Sequence, residues 1–140
     1  MMDFEKLKNV LNTDDTFCCV NGMRLTVIRE GYAEAELEIT PRVLNSRKVV
    51  QGGAIMTLAD FAFAGAGNSM GYTVVSTGVN VSFVRPGTGK FLRAVCQKLH
   101  HGKTVSLYRT EVFNDKGELV AEATINGFNI APTCVYLDKR

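Results

Sequence analysis

The chain has 140 residues, 46% of them apolar, and 16 Lys and Arg against 14 Asp and Glu give a formal charge of +2. That length suits one domain with a real core, and the near balance of charge gives no argument for nucleic acid as a partner. The opening Met1-Met2-Asp3-Phe4-Glu5-Lys6 is charged and lacks the apolar core of a leader, so a cytoplasmic location without a membrane partner is expected.

Residues 3–11 predict a short amphipathic helix, with Phe4, Leu7, Val10 and Leu11 on one side. Residues 23–29 alternate and read as a strand. Glu30-Gly31 is a hairpin turn signal. Residues 32–39 follow with Ala33, Ala35, Leu37 and Ile39 on one face and Glu34, Glu36 and Glu38 on the other, the pattern of a half-exposed antiparallel strand. Residues 40–50 form a polar loop opened by Pro41. Gly52-Gly53 then starts an Ala-rich, Pro-free helix running to about Met70. Residues 74–84 read as a strand broken by Pro86-Gly87-Thr88-Gly89. Residues 91–99, 104–113 and 119–130 are three more strands, separated by His101-Gly102 and by the turn Asn114-Asp115-Lys116-Gly117. Hairpin-length connections imply a mostly antiparallel sheet. The fold class is α+β, one domain over 1–140, with 1–20 as N-terminal helix and lead-in and one long apolar helix against a curved sheet.

Four cysteines, Cys18, Cys19, Cys96 and Cys134, make no C-x-x-C pair and have no zinc-ligand spacing with His100 and His101, so reduced thiols and no metal site are expected.

Asp60 stands out. It is the one charge in the run from Gly53 to Ala66, and on a helical pitch it shares a face with Gly53, Met56, Thr57, Phe63, Ala64 and Gly67. No strip of this helix reads as polar enough to face water, so it should be wrapped by other structure. A carboxylate there costs several kcal/mol unless something pairs with it or uses it. It lies about two turns past the glycines, so it is no N-cap. A buried acid held by backbone donors is the plain alternative to a chemical role.

Asp60 also belongs to a spaced set. Asn45 is followed by Gln51-Gly52-Gly53-Ala54, Thr57-Leu58-Ala59-Asp60, Ser76 and Phe83-Val84-Arg85-Pro86, with steps of six residues from Asn45 to Gln51 and nine from Gln51 to Asp60. Over residues 40–130 this resembles the hotdog-fold acyl-CoA thioesterases of the PaaI-like, 4-hydroxybenzoyl-CoA type. The resemblance implies a curved sheet wrapped around a central helix and an acyl-CoA substrate. It implies no cofactor beyond the coenzyme A carried by that substrate. It also implies active sites between the protomers of a homodimer whose sheets join edge to edge, with pairing into homotetramers in many members. It gives Asn45 a role in positioning water or substrate, sets Ser76 near Asp60, and makes Gly53 and Thr57 substrate contacts. The family's usual His before the two glycines is Gln51 here, which keeps hydrogen bonding but carries no proton charge. Asn45 has an ordinary reading as a loop-former, and Ser76 as a sheet-face hydroxyl.

Thioester hydrolysis needs a nucleophile or base and a donor for the developing oxyanion. The thiolate leaves readily, since a thiol pKa is about 8.5. Asp60 suits the first role, as nucleophile or as general base on water. The Gly52 N–H, unpartnered at a helix start, suits the second. Eight residues of helix separate them by roughly 12 Å, so both can reach one carbonyl only if they come from two subunits.

Met56, Phe61, Phe63 and Met70 are candidates for an acyl pocket, with core packing as the alternative. Arg85, Lys90, Arg93, His101 and Lys103 are candidates for the nucleotide phosphates. Two other functions compete with hydrolysis. One is a non-catalytic acyl-CoA or ligand-binding hotdog protein, motivated by Gln51. The other is an enoyl-CoA hydratase, for which no placed Asp and His pair is visible.

Overall fold

The computed structural model describes residues 2–138. In chain order it has α1 (Phe4–Asp14), α2 (Thr16–Val20), β1 (Met23–Arg29), β2 (Tyr32–Glu38), a 3-10 turn (Pro41–Val43), α3 (Gly52–Asn68), β3 (Thr73–Phe83), β4 (Phe91–His101), β5 (Val105–Asn114), β6 (Leu119–Ala131) and a last 3-10 turn (Val135–Asp138). Six strands form one sheet in the order β1-β2-β4-β5-β6-β3, every pair antiparallel. The central helix α3 touches all six.

The sheet curls around α3 because its inner face is built from small and branched residues. Ala33, Ala35 and Leu37 of β2 are fully buried, while Glu34 and Glu36 point outward, as the alternation requires. The helix answers with Gly65. A Cβ there would lie 3.0 Å from both the Ala33 Cβ and Leu25 Cδ2 and 3.2 Å from Ile28 Cδ1. Gly65 thus lets the backbone of α3 settle directly onto β1 and β2.

The two sheet edges differ. On β1, Asn12 of α1 stands in for a neighbouring strand: its Nδ2 donates to Leu25 O at 2.9 Å and its Oδ1 accepts from Leu25 N at 2.7 Å. On β3, no described residue bonds the outer edge between Val75 and Phe83; its ladder runs to β6 alone. One edge is covered and the other is open.

The N-terminal helix is longer than predicted and is followed by a second one. Asp3 caps α1 through Lys6 N, and Asp15 caps α2 through Cys18 N at 3.1 Å. β4 runs two residues past its predicted end. A bulge at Leu99 shifts the register between Lys98 and His100 and turns His101 inward to pair with Ser106. The turn after β5 is fixed by Asn114, whose Oδ1 accepts from Lys116 N and Glu118 N, with Gly117 at φ 78°. Among the described residues no helix is long and apolar enough to cross a membrane.

Substituting Gly65→Val should overpack the α3–β1–β2 contact and destabilise the fold by about 1–3 kcal/mol. A urea titration reads this as a lower midpoint with little change in slope. An unchanged midpoint would mean that the helix does not sit this close to the sheet.

Candidate active site

The loop before α3 places its first residues. Asn45 Oδ1 accepts from Arg47 N at 2.8 Å and from Val49 N at 3.4 Å, and Lys48 takes the left-handed conformation, φ 64°. Leu44 then bridges Val50, and Gln51 N donates to Val43 O at 2.9 Å. Asn45 therefore builds the loop, as its ordinary reading held, while its Nδ2 makes no bond to any described residue.

At the helix start Gln51 is the N-cap. Its Oε1 accepts from Gly53 N, and its backbone carbonyl accepts from Ala54 N and Ile55 N. Thr57 Oγ1 donates back to Gly53 O at 2.8 Å. The Gly52 amide is left with no partner among the described residues. It is a donor at the positive end of a 17-residue helix.

Two turns along, the Asp60 side chain is half-buried, with Oδ1 fully enclosed and unbonded. Burial raises its pKa above the ordinary 3.8, the nearby Ser76 hydroxyl pulls it back in part, and Asp15 at the start of α2 pushes it up further. Ser76 exerts this influence without closing a hydrogen bond of good geometry to Oδ1. Asp60 also adds to the upward shift that burial gives Cys96, whose thiol is pushed up to about 12 with Thr110 opposing. The backbone-bonded buried acid, the plain alternative, has no support in these contacts.

The helix is not wrapped all round, contrary to the sequence expectation. Gly53 and Met56 are exposed, Met56 at 42%, and Thr57, Asp60 and Ala64 are half-exposed, so one stripe stays open along the Asp60 face. Phe63 and Gly67, placed on that face by helical pitch, are buried. Phe61 and Phe63, candidates for an acyl pocket, are both only 2% exposed. Phe63 packs edge-on against the buried Tyr108 with ring centroids 5.2 Å apart. Large aromatics on the sheet-facing side of α3 fill the core, which is the commoner fate of such residues.

The candidate cations do not converge within one chain. Arg85 joins Gly52 in a cleft of about 400 Å³ with Phe83 and Val84, and its Nη1 donates to Leu119 O at 2.8 Å. Lys90 lines a different cleft beside Arg24 and Glu36, and Lys103 a third beside Tyr72 and Asn129. His101 is committed to structure: Nδ1 meets Tyr108 Oη at 2.7 Å and Nε2 meets Asn129 Oδ1 at 2.8 Å. Sequence reasoning missed α2 and its Asp15 as a neighbour of Asp60. The visible signal was the capping pattern of an Asp three residues before Cys18.

A raised carboxyl pKa binds its proton more tightly in the folded chain than in the unfolded one. Its effect on stability is absent at pH below about 3.8 and becomes an increasing loss as pH climbs through the folded value. Asp60→Asn removes that loss, so its melting temperature relative to wild type should rise from pH 4 to pH 7. Parallel pH profiles for the two proteins would show that the carboxyl is not desolvated.

Comparison with known proteins agrees with the fold. A family model described as the thioesterase superfamily matches residues 47–121. The acyl-coenzyme A thioesterase PaaI of Escherichia coli K12 is 35% identical over 106 residues, 74% of this chain and 76% of that protein. The proofreading thioesterase EntH of Klebsiella pneumoniae is 28% identical over 109 residues, 76% of this chain and 80% of that protein. The solved structure of the E. coli PaaI protein superposes with a TM-score of 0.88 at 29% identity, covering 93% of this chain and 95% of that one. With the curled sheet, the central helix and the family model matched over more than half its length, this chain belongs to the thioesterase superfamily and has its hotdog fold.

Proposed function

We propose that this protein hydrolyses an acyl-CoA thioester to the free acid and coenzyme A, at a site shared by two copies of the chain. One copy lends the Gly52 N–H as oxyanion donor and the other lends the Asp60 carboxylate. The observation that carries this is a pair of groups on α3, two turns apart, that have no partner among the described residues: the Gly52 amide and a carboxylate oxygen of Asp60. Roughly 12 Å of helix rise keeps one chain from bringing both to the same carbonyl. The open edge of β3 and the open stripe through Met56 and Asp60 support a two-fold assembly that brings α3 of each copy to the other.

In this scheme the acyl carbonyl oxygen accepts from Gly52 N–H, where the helix dipole favours the charge that develops. Asp60 attacks the carbonyl carbon or takes a proton from the water that does. The C–S bond breaks, coenzyme A leaves as thiolate and is then protonated, and water supplies the oxygen of the acid. Asn45 Nδ2, left free by the loop, orients water or the thioester, and Gln51, Gly53 and Thr57 shape the donor end of the site. Ser76 keeps Asp60 more acidic than burial alone allows. Arg85, Lys90 and Lys103 would serve the nucleotide only where a second copy brings their clefts together. No resident cofactor is required, since coenzyme A arrives with the substrate.

Asp60→Asn should lower kcat at least ~100-fold while the protein stays folded. Ser76→Ala should move the acid limb of the kcat/KM profile to higher pH, because it removes the group that lowers the Asp60 pKa. The shared site has its own test. Gly52→Pro removes the amide hydrogen at the first helical position, where Pro is tolerated, and adds a ring whose Cβ lies 3.3 Å from Cζ of the exposed Phe83; Gln51 at ψ 136° already has the backbone a residue before Pro requires. Each variant alone should be inactive. Refolded together in equal amounts, they should regain roughly a quarter of wild-type activity, since half the dimers are mixed and each mixed dimer holds one intact site of two. No recovery on mixing would sink the cross-subunit arrangement.

A further inference from the structure

Asp60 has another acid for a neighbour. The short helix α2 packs on α3, and its cap, Asp15, is the charged group that acts on the Asp60 carboxyl. Both side chains are half-buried. Asp15 Oδ1 accepts from Cys18 N at 3.1 Å, which fixes the side chain at the head of α2. The rest of α2, Thr16-Phe17-Cys18-Cys19-Val20, adds no charge. The other groups that share the field of Asp60 are neutral: the Ser76 hydroxyl of β3, the Cys18 thiol of α2 and the Cys96 thiol of β4, both thiols held above the usual range chiefly by burial.

No cation of the same chain offsets the two acids. Among the described residues neither Asp15 nor Asp60 is in an ion pair. Arg85, Lys90 and Lys103 lie in three separate clefts, and neither acid lines any of them. Two carboxylates in a partly dry setting repel a third anion more strongly than they would in water. An acyl group attacked through Asp60 has to place its first carbons beside that carboxylate, whichever way the rest of the acyl chain runs. A carboxylate one or two methylenes from the thioester carbonyl would then meet both acids with nothing to pair with. It would also drive the Asp60 carboxyl toward its protonated form, which neither attacks carbon nor takes a proton from water. An uncharged acyl group meets neither obstacle.

We infer that Asp15 is a specificity-determining residue for the acyl end of the substrate: Asp15 and Asp60 together admit uncharged acyl groups and reject those that carry a carboxylate close to the thioester. This rests on the acyl-CoA reading above and adds to it the class of acyl group.

The test measures kcat/KM of the full-length protein for two isosteric pairs, malonyl-CoA against acetoacetyl-CoA and succinyl-CoA against levulinoyl-CoA, in which a methyl ketone replaces the carboxylate. The variants are Asp15→Asn and Asp15→Ser. Both keep an N-cap side chain for α2, so melting temperatures should stay close to wild type. Wild type should favour the neutral member of each pair at least about a hundredfold, and each variant should narrow that ratio about tenfold, since Asp60 remains. In both variants the acid limb of kcat/KM for acetoacetyl-CoA should also move to lower pH, opposite to Ser76→Ala, a shift that loosened helix packing would not produce. Equal turnover of malonyl-CoA and acetoacetyl-CoA by wild type would overturn the inference. A preference for malonyl-CoA would overturn it too, and would assign the acyl end to a cation such as Arg85. A ratio that stays as wide in the folded Asp15 variants would take the discrimination away from Asp15. If wild type releases no thiol from any acyl-CoA, calorimetry compares the carboxyethyl and oxobutyl thioethers of coenzyme A, which cannot be hydrolysed. An Asp15-dependent preference for the oxobutyl thioether would then defeat the hydrolysis reading and leave the discrimination standing, and equal affinities would overturn both.

Discussion

A single helix carries a hydrogen-bond donor and a hydrogen-bond acceptor, the Gly52 amide and Asp60 Oδ1, that have no partner among the described residues. The Gly52 amide is free because helix geometry leaves first-turn N–H groups unpaired and Gln51 takes the next one, that of Gly53. The Asp60 Oδ1 is enclosed and has no partner among the described residues; the nearby Ser76 hydroxyl makes no good bond to it. A fold does not keep a desolvated, unsatisfied carboxylate for its own stability, since each such atom costs free energy. The remainder of the molecule supplies that stability. Alanines on β2 and Gly65 on α3 bring helix and sheet into direct backbone-to-side-chain contact, and the core formed there is continuous.

The frame of this fold was open to reading because its signals are periodic and local. The alternation across Ala33, Ala35 and Leu37, the Gly-Gly start of α3 and the Asn114–Gly117 turn each specify their element through nearest neighbours, and each lies where the residues pointed. Errors arose where a distant contact decided the outcome. The inward turn of His101 depends on a bulge at Leu99 and on partners at Tyr108 and Asn129, none of which leaves a mark at position 101 itself. Helical pitch put Phe63 on the Asp60 face. The real helix is enclosed through that sector by Tyr108 and by Gly127, whose missing side chain leaves room for the ring. Pitch gives an angle around the helix axis; only the sheet decides which angles are covered.

The site was legible as a spacing and illegible as an environment. Asn45, Gln51, Gly52 and Asp60 could be picked out by their intervals, but what each side chain does with its hydrogen bonds could not. Asn45 has its oxygen occupied by the loop and its amide nitrogen without a partner among the described residues. The contribution of Asp15 to Asp60 comes from a short helix absent from the sequence expectation, so the electrostatic setting of the acid was incomplete until α2 was placed.

Gln51, where the family resemblance leads one to expect an imidazole, has a definite physical consequence. Because the Gln51 Oε1 accepts from the Gly53 N–H, the amide orientation is fixed and Nε2 is directed away from that bond as a neutral donor. The start of α3 then has the same charge at every pH at which the protein is folded. In the proposed mechanism its contribution to a developing oxyanion would come from the helix dipole, the Gly52 amide and that carboxamide, none of which titrates. Both histidines end β4, and His101 has each ring nitrogen engaged by a neutral partner. In the proposed mechanism the titrating group is Asp60, a carboxyl displaced upward by burial and by Asp15 and restrained by Ser76. In the proposed mechanism a carboxylate so displaced is, once ionised, a better base than one in water, which suits drawing a proton from water or attacking carbon.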